Sequence, residues 1–210
     1  MTRLVFYIAR ILRQEAPLAA MGLPISQMLA RLTGQIALVG NARSLATSTY
    51  GAEIDDADQV IRINRAPMSA PESHGSRTDV LALATELDAA TLYRLNPALT
   101  IWMSHKRKRL PWSVASRAGF ALPPLEGFLR LKAVLGAPPT TGILMLDLLQ
   151  QSPATSVTLY GFDFFASQSL SGSRTAAYVP HDFAAERRWV AGLLTHDQRF
   201  HLSDSSVLAQ

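Results

Sequence analysis

Three groups of residues are placed by type and spacing to do chemistry. His181 follows Pro180 and opens the segment His-Asp-Phe-Ala-Ala-Glu, which reads as the start of a helix carrying Glu186. The positive end of a helix dipole disfavours an imidazolium, so a histidine there stays neutral near pH 7 and accepts a proton from a hydroxyl. The same position suits a histidine that merely caps its helix. Glu186 either orients a neighbouring group, meets a substrate, or sits in the first turn with no further role. Upstream, Pro138-Pro139-Thr140-Thr141-Gly142 leads into the apolar run Ile143, Leu144, Met145, Leu146, Leu148 and Leu149. Prolines and a threonine before a helical run are an N-terminal signal, with threonine as cap. The open N–H groups of such a turn make a seat for phosphate, and Gly142 lets a ligand approach the backbone. A threonine that only caps has the same sequence. Third, Asn41 and Asn64 each end an apolar strand candidate, Gly161 ends another, and Asp163 lies just beyond.

These residues need a frame. Strands are predicted over 35–40, 59–64, 79–84, 99–104, 156–161 and 199–202. Helices are predicted over 125–135, 142–151 and 183–195. Two more helices precede the first strand, the second from Pro24 to Gly34. This alternation predicts an α/β fold: a single domain with a mostly parallel sheet and helices on both faces. Ligands of such sheets bind beyond the carboxyl ends of the strands, where Asn41 and Asn64 share a crevice if their strands are neighbours. Asparagine after a strand also simply turns the chain. The expected division is N-terminal helices over 1–34, packed on a domain over 35–210. Proline- and serine-rich loops are expected at 66–76, 110–124 and 167–180.

Composition bounds the rest. The chain has 210 residues, 48% hydrophobic and 17% charged, enough for one domain with a substantial core. Its formal charge of +4 favours an anionic partner without choosing among nucleotide, acidic glycan, membrane surface or nucleic acid. Cysteine is absent, so disulfides and cysteine metal sites are excluded. No run of 18 apolar residues occurs. The short apolar stretch Leu4 to Ala9 is broken by Arg10, too soon for a signal-peptide core. A cytoplasmic location is the expectation. In the first helix Leu4, Ile8, Ile11 and Leu12 recur at helical spacing, with Arg3, Arg10 and Arg13 on other faces. That is either a basic amphipathic helix lying on anionic lipid, a peripheral membrane contact, or a helix packed on the domain. Lys106-Arg107-Lys108-Arg109 reads as an anion-binding run or a solvated loop. Aromatics are sparse and no nucleic-acid motif occurs, so nucleic acid is not expected as a partner.

The stretch 36–83 resembles the long donor-binding motif of the eukaryotic-type sialyltransferase family, glycosyltransferase family 29. The ordered elements are Val39-Gly40-Asn41, Gly51, Ile54-Asp55, Val60-Ile61-Arg62-Ile63-Asn64, Ala66-Pro67, and Gly75 with Arg77-Thr78. Pro139 to Leu144, running on to Leu159-Tyr160-Gly161-Phe162, is similar to the family's short motif. His181 and Glu186 are similar to its terminal His and Glu pair, which selects His181 from the five histidines. Ala42 stands where the family usually has serine. The family's third motif is not recognisable between Asp163 and Pro180, where Tyr178 is the only aromatic hydrogen-bonding residue.

The resemblance implies a single-domain, GT-A-like (Rossmann-like) inverting transferase that moves sialic acid, or a related ulosonic acid such as Kdo, from a CMP-activated donor to a glycan or glycolipid hydroxyl. It assigns Asn41, Asn64, Thr140, Thr141, Gly142 and Gly161 to the donor and His181 to the acceptor proton. Asp163, Tyr178 and Glu186 are left as accessory or acceptor residues. No metal or other cofactor is expected, because no Asp-x-Asp ends a strand and a monophosphate leaving group needs less charge neutralisation than a diphosphate. A cytidine-nucleotide-binding module without transfer activity is the alternative that Ala42 and the missing third motif support. A Rossmann-type oxidoreductase is weaker, lacking the spaced glycines and the acidic residue where Asn64 stands.

Overall fold

The computed structural model describes residues 2–164 and 180–208; Tyr178 lies outside the described residues. Seven strands, β1 (Gly34–Val39), β2 (Gln59–Ile63), β3 (Val80–Leu83), β4 (Leu99–Trp102), β5 (Phe120–Ala121), β6 (Ala154–Tyr160) and β7 (Phe200–Leu202), form one sheet in the order β5-β4-β3-β2-β1-β6-β7. Every pair is parallel. Ten helices are described: α1 (Arg3–Leu12), α2 (Glu15–Ala19), α3 (Ile25–Ala30), α4 (Gly51–Asp56), α5 (Pro71–His74), α6 (Ala89–Leu95), α7 (Trp112–Ala115), α8 (Leu125–Leu135), α9 (Thr141–Gln150) and α10 (Phe183–His196).

Ile36 to Val39 read as one apolar run rather than an alternation because helices cover both faces of β1. One face, with Ile36, Leu38, Ile61, Ile63 and Ala82, packs on α3, α8, α9 and α10. The other, with Leu81, Leu83 and Trp102, packs on α1, α2, α6 and α7, while Ala37, Val39 and Tyr160 pack on α4. α9 is apolar nearly all round because it lies in the core, with Ile143, Met145, Leu146, Leu148 and Leu149 buried.

Several sequence expectations change. The loop expected at 66–76 contains α5, and that at 110–124 contains α7 and β5, elements of four and two residues that are too short for periodicity to register. Three helices rather than two precede β1, and the one expected over 24–34 is α3, which ends at Ala30. Gly34 already belongs to β1 at a positive φ of 72°, and a Cβ there would meet the Asp58 carboxylate, which accepts from Gln35 N–H at 2.7 Å. Asp55, in α4, ties that helix to the segment before β3. Its carboxylate accepts from the N–H groups of Ser76 and Arg77. Burial pushes its pKa up, but those hydrogen bonds more than offset this and hold it below the usual carboxylate value. Buried Arg62 ties the same segment down, donating to the carbonyls of Arg77 and His74 at 2.7 Å each. In the basic run, Arg107 is buried and ion-paired with Glu15.

The apolar set Leu4, Ile8, Ile11 and Leu12 does not pack α1 on the domain. Phe6 and Ala9 do, with exposures of 0% and 1%, whereas Leu4 and Leu12 are 70% and 61% exposed. Phe6 meets Trp112 edge-on at 5.2 Å, and Arg10 donates to the Leu110 carbonyl at 3.2 Å.

Candidate functional site

The strand order reverses direction between β1 and β6, and the crevice of a doubly wound sheet opens at that point, beyond the carboxyl ends. Here the two chains leave their strands in contact. Gly40 N–H donates to Tyr160 and Ala42 N–H to Gly161. A Cβ on Gly40 would sit 2.3 Å from the Gly161 oxygen, and Gly161 itself has φ 66°, so both positions need glycine.

The structure brings Asn41, Asn64, Thr140, Thr141 and Gly161 to this edge. Asn41 Nδ2 donates to the Ile63 carbonyl at 3.1 Å, binding the ends of β1 and β2 together. Asn64 has φ 53°, a left-handed conformation that asparagine tolerates better than most residues. Its Oδ1 accepts from Ala84 N–H at 2.8 Å and its Nδ2 reaches Thr141 Oγ1 at 3.3 Å. The side chain therefore joins the ends of β2 and β3 to the start of α9, a structural duty that the sequence does not reveal. Gly142 is explained within the protein: a Cβ there would lie 2.8 Å from the Phe162 ring, so the glycine admits that ring rather than only a ligand.

Thr140 caps α9, its hydroxyl accepting from Ile143 N–H. Glu186 grips the same residue, accepting from Thr140 N–H at 2.6 Å and from its hydroxyl at 2.9 Å. Of the three roles open to Glu186 in the sequence, orienting a neighbour is the one it fills here. Burial lifts its pKa to about 7, with the Thr140 hydrogen bonds pulling the other way.

His181 stands one residue outside α10, whose N-cap is Asp182. Its Nδ1 lies 2.7 Å from the Pro138 carbonyl. A carbonyl only accepts, so Nδ1 carries the proton, and in the neutral ring Nε2 is the base. Burial lowers the pKa and the Pro138 hydrogen bond raises it back in part. Burial thus favours the neutral imidazole. His181 and Glu186 together hold the 138–140 turn from the start of α10.

A cavity of about 150 Å³ opens at the β1–β6–β7 edge, lined by Ser44, Thr47, Tyr50, Gly161, Asp163 and Ser203. Ser44 donates to Asp163 at 3.3 Å, and Tyr50 to the Ser203 carbonyl at 3.0 Å. Ser44 and Ser203 were not singled out by sequence; the signal for them is that each closely follows the end of a strand. A larger cavity, about 200 Å³, lies between α8, α9 and the end of β4 and holds none of the expected residues. Of its two acidic residues, Glu126 and Asp147, the latter is ion-paired with Arg130. Among the described residues no three His, Asp or Glu side chains group to hold a metal ion.

Residues 22–107 match the family model of glycosyltransferase family 29 (sialyltransferase), in agreement with the resemblance read from the motifs. No curated protein sequence matches the chain. Among solved structures, the chain is similar to a mammalian sialyltransferase in complex with Gal-beta-1-3GalNAc-ortho-nitrophenol, at TM-score 0.60 and 20% identity over 93% of this chain and 83% of that one. It is also similar to the sialyltransferase CstII from Campylobacter jejuni in complex with cytidine-5'-monophosphate, at TM-score 0.55 and 13% identity over 80% and 79%. The CstII complex with CMP-3FNeuAc gives 0.56 and 12% over 80% and 81%. The fold is the one these sialyltransferases share.

Proposed function

We propose that this chain is a sialyltransferase of glycosyltransferase family 29 that transfers sialic acid, or a closely related acidic sugar, from a CMP donor to a glycan hydroxyl with inversion. The observation that carries this reading is the joining of two functional parts at one turn: the capped start of α9 and an imidazole fixed on Pro138 with Nε2 as its base. Thr140 N–H is taken by Glu186 and Ile143 N–H by the cap, which leaves the N–H groups of Thr141 and Gly142 for the donor phosphate. Arg43 and Arg65, exposed beside Asn41 and Asn64, add positive charge at the same edge. His181 Nε2 takes the proton of the acceptor hydroxyl as its oxygen bonds to the anomeric carbon. The bond from that carbon to the phosphate oxygen breaks, and CMP leaves with the electron pair. The cavity at Ser44, Tyr50 and Asp163 is offered to the nucleoside. The solved complexes with CMP and with a CMP-sugar analogue on the same fold support a CMP-activated donor.

Thermal denaturation with nucleotides tests it. CMP at a hundred times its dissociation constant is expected to stabilise the chain by roughly 2.7 kcal/mol. The effect should persist in EDTA, because the proposed phosphate seat is built from helix N–H groups. Stabilisation by NAD and by no cytidine nucleotide would sink the reading.

A second expectation concerns Asn64. Asn64→Ala leaves the Ala84 N–H without its acceptor and puts alanine, which tolerates a positive φ less well than asparagine, at this position, so it should cost about 1–3 kcal/mol of stability in urea denaturation. It should also weaken CMP binding, since the start of α9 loses its tie to β2. A variant as stable as the parent and equal in CMP affinity would remove Asn64 from both roles.

A further inference from the structure

We infer that α1 and the basic run beside it form a docking surface for an anionic lipid bilayer. At about 100° per residue, Leu4, Val5, Ile8, Ile11 and Leu12 fall within an arc of roughly 120° on α1. All five are exposed, from 47% to 70%, while the helix is held to the domain by its other side through Phe6 and Ala9. A continuous apolar face of this size on a well-packed helix is not needed by the fold, and it lies open to whatever covers it.

Charge identifies the occupant. Residues 2–14 carry Arg3, Arg10 and Arg13 and no carboxylate. Residues 104–119, against which α1 packs through Arg10 and Leu110, carry five cations and no carboxylate. Of these, Lys106, Lys108 and Arg109 are exposed, and only Arg107 is spent on an ion pair, with Glu15. An apolar stripe flanked by unneutralised cations matches an interface of acyl chains beneath anionic headgroups. A second copy of this chain would bring the same cations face to face, which disfavours a dimer on this surface. The basic run follows the carboxyl end of β4, so a bilayer bound here lies at the sheet edge that holds the proposed crevice. An acceptor glycan carried on a lipid would then be presented to the site from the membrane. The surface shares no residue with the donor crevice, so it stands or falls independently of the proposed transfer.

Co-sedimentation of the full chain with vesicles tests it. The chain should pellet with phosphatidylcholine–phosphatidylglycerol vesicles and should stay in the supernatant with phosphatidylcholine alone. The double variant I8Q/L12Q should partition at least about tenfold less while melting at the parent's temperature, since both residues are exposed. K106Q/K108Q/R109Q should lose the preference for anionic vesicles and the sensitivity to salt. Failure of the parent to bind anionic vesicles would overturn the proposal. So would a parent dimer in light scattering that I8Q/L12Q converts to monomer without changing vesicle binding.

Discussion

His181→Ala is expected to reduce sugar transfer by about 10²–10⁴-fold, the scale of one general base. The hydrogen bond to Pro138 fixes which nitrogen is protonated, so the wild-type ring presents Nε2 in one tautomer at no cost during the reaction. CMP affinity should change little, because the ring is assigned to the acceptor and Glu186 still holds Thr140, where the proposed phosphate seat begins. The parent's rate should rise with pH as the imidazolium deprotonates. Burial lowers this pKa, so the rise should centre below the ordinary histidine value near 6.5. The alanine variant should lack that ionisation. His181→Ala with the parent's rate and pH profile would leave only nucleotide binding for this domain.

Glu186→Ala is expected to be the most damaging change to the site's framework. Glu186 is 3% exposed, and its removal leaves the Thr140 N–H and the hydroxyl proton without an acceptor at the start of a buried helix. The combined loss of hydrogen bonds and packing should cost about 2–4 kcal/mol in urea denaturation. CMP should bind at least about tenfold more weakly as the phosphate seat loosens. Glu186→Gln is the informative companion: an amide fills the same volume, its oxygen accepts from the N–H and its NH₂ donates to the hydroxyl. A purely electrostatic role would fail to be rescued by it. The pH dependence of stability separates the two variants further. The folded pKa of about 7 lies above the ordinary carboxylate value, so between about 4.5 and 7 the folded state holds a proton that the unfolded chain has lost. This group's contribution is therefore fully present below 4.5 and declines as pH rises to 7, by an amount on the order of 3 kcal/mol. Glu186→Gln should flatten that decline. A parent whose stability rises across this window, with no difference in the glutamine variant, would show that Glu186 is ionised throughout.

Six of the seven strands were legible, β1 and β3 as continuous apolar runs and the others as short apolar stretches broken by a polar residue. β5 was not, since two residues carry no period. The chosen residues at the strand ends were legible from position, but their partners were not. Nothing in the sequence links Glu186 to Thr140 across 46 positions, or His181 to Pro138 across 43. These contacts depend on how α10 crosses the start of α9, which is tertiary packing. For the same reason the dipole argument for His181 could not include the burial that also favours its neutral form. α1 misled in another way. Its strongest helical period marks an exposed face, whereas Phe6 and Ala9, which anchor it, form too sparse a pattern to stand out.

The place of β6 between β1 and β7 has a consequence for how the chain emerges from the ribosome. β1 is complete by Val39, but its second neighbour begins only at Ala154. Throughout synthesis of the intervening hundred-odd residues, β1 to β4 can pair while one side of the apolar strand Ile36 to Val39 stays an open edge, available to any other extended chain. Gly40 meets Gly161, and Asn64 meets the helix that precedes β6, only after that late insertion. A nascent chain therefore lacks the β6 side of the crevice, and activity reports on completed folding rather than on partial assembly.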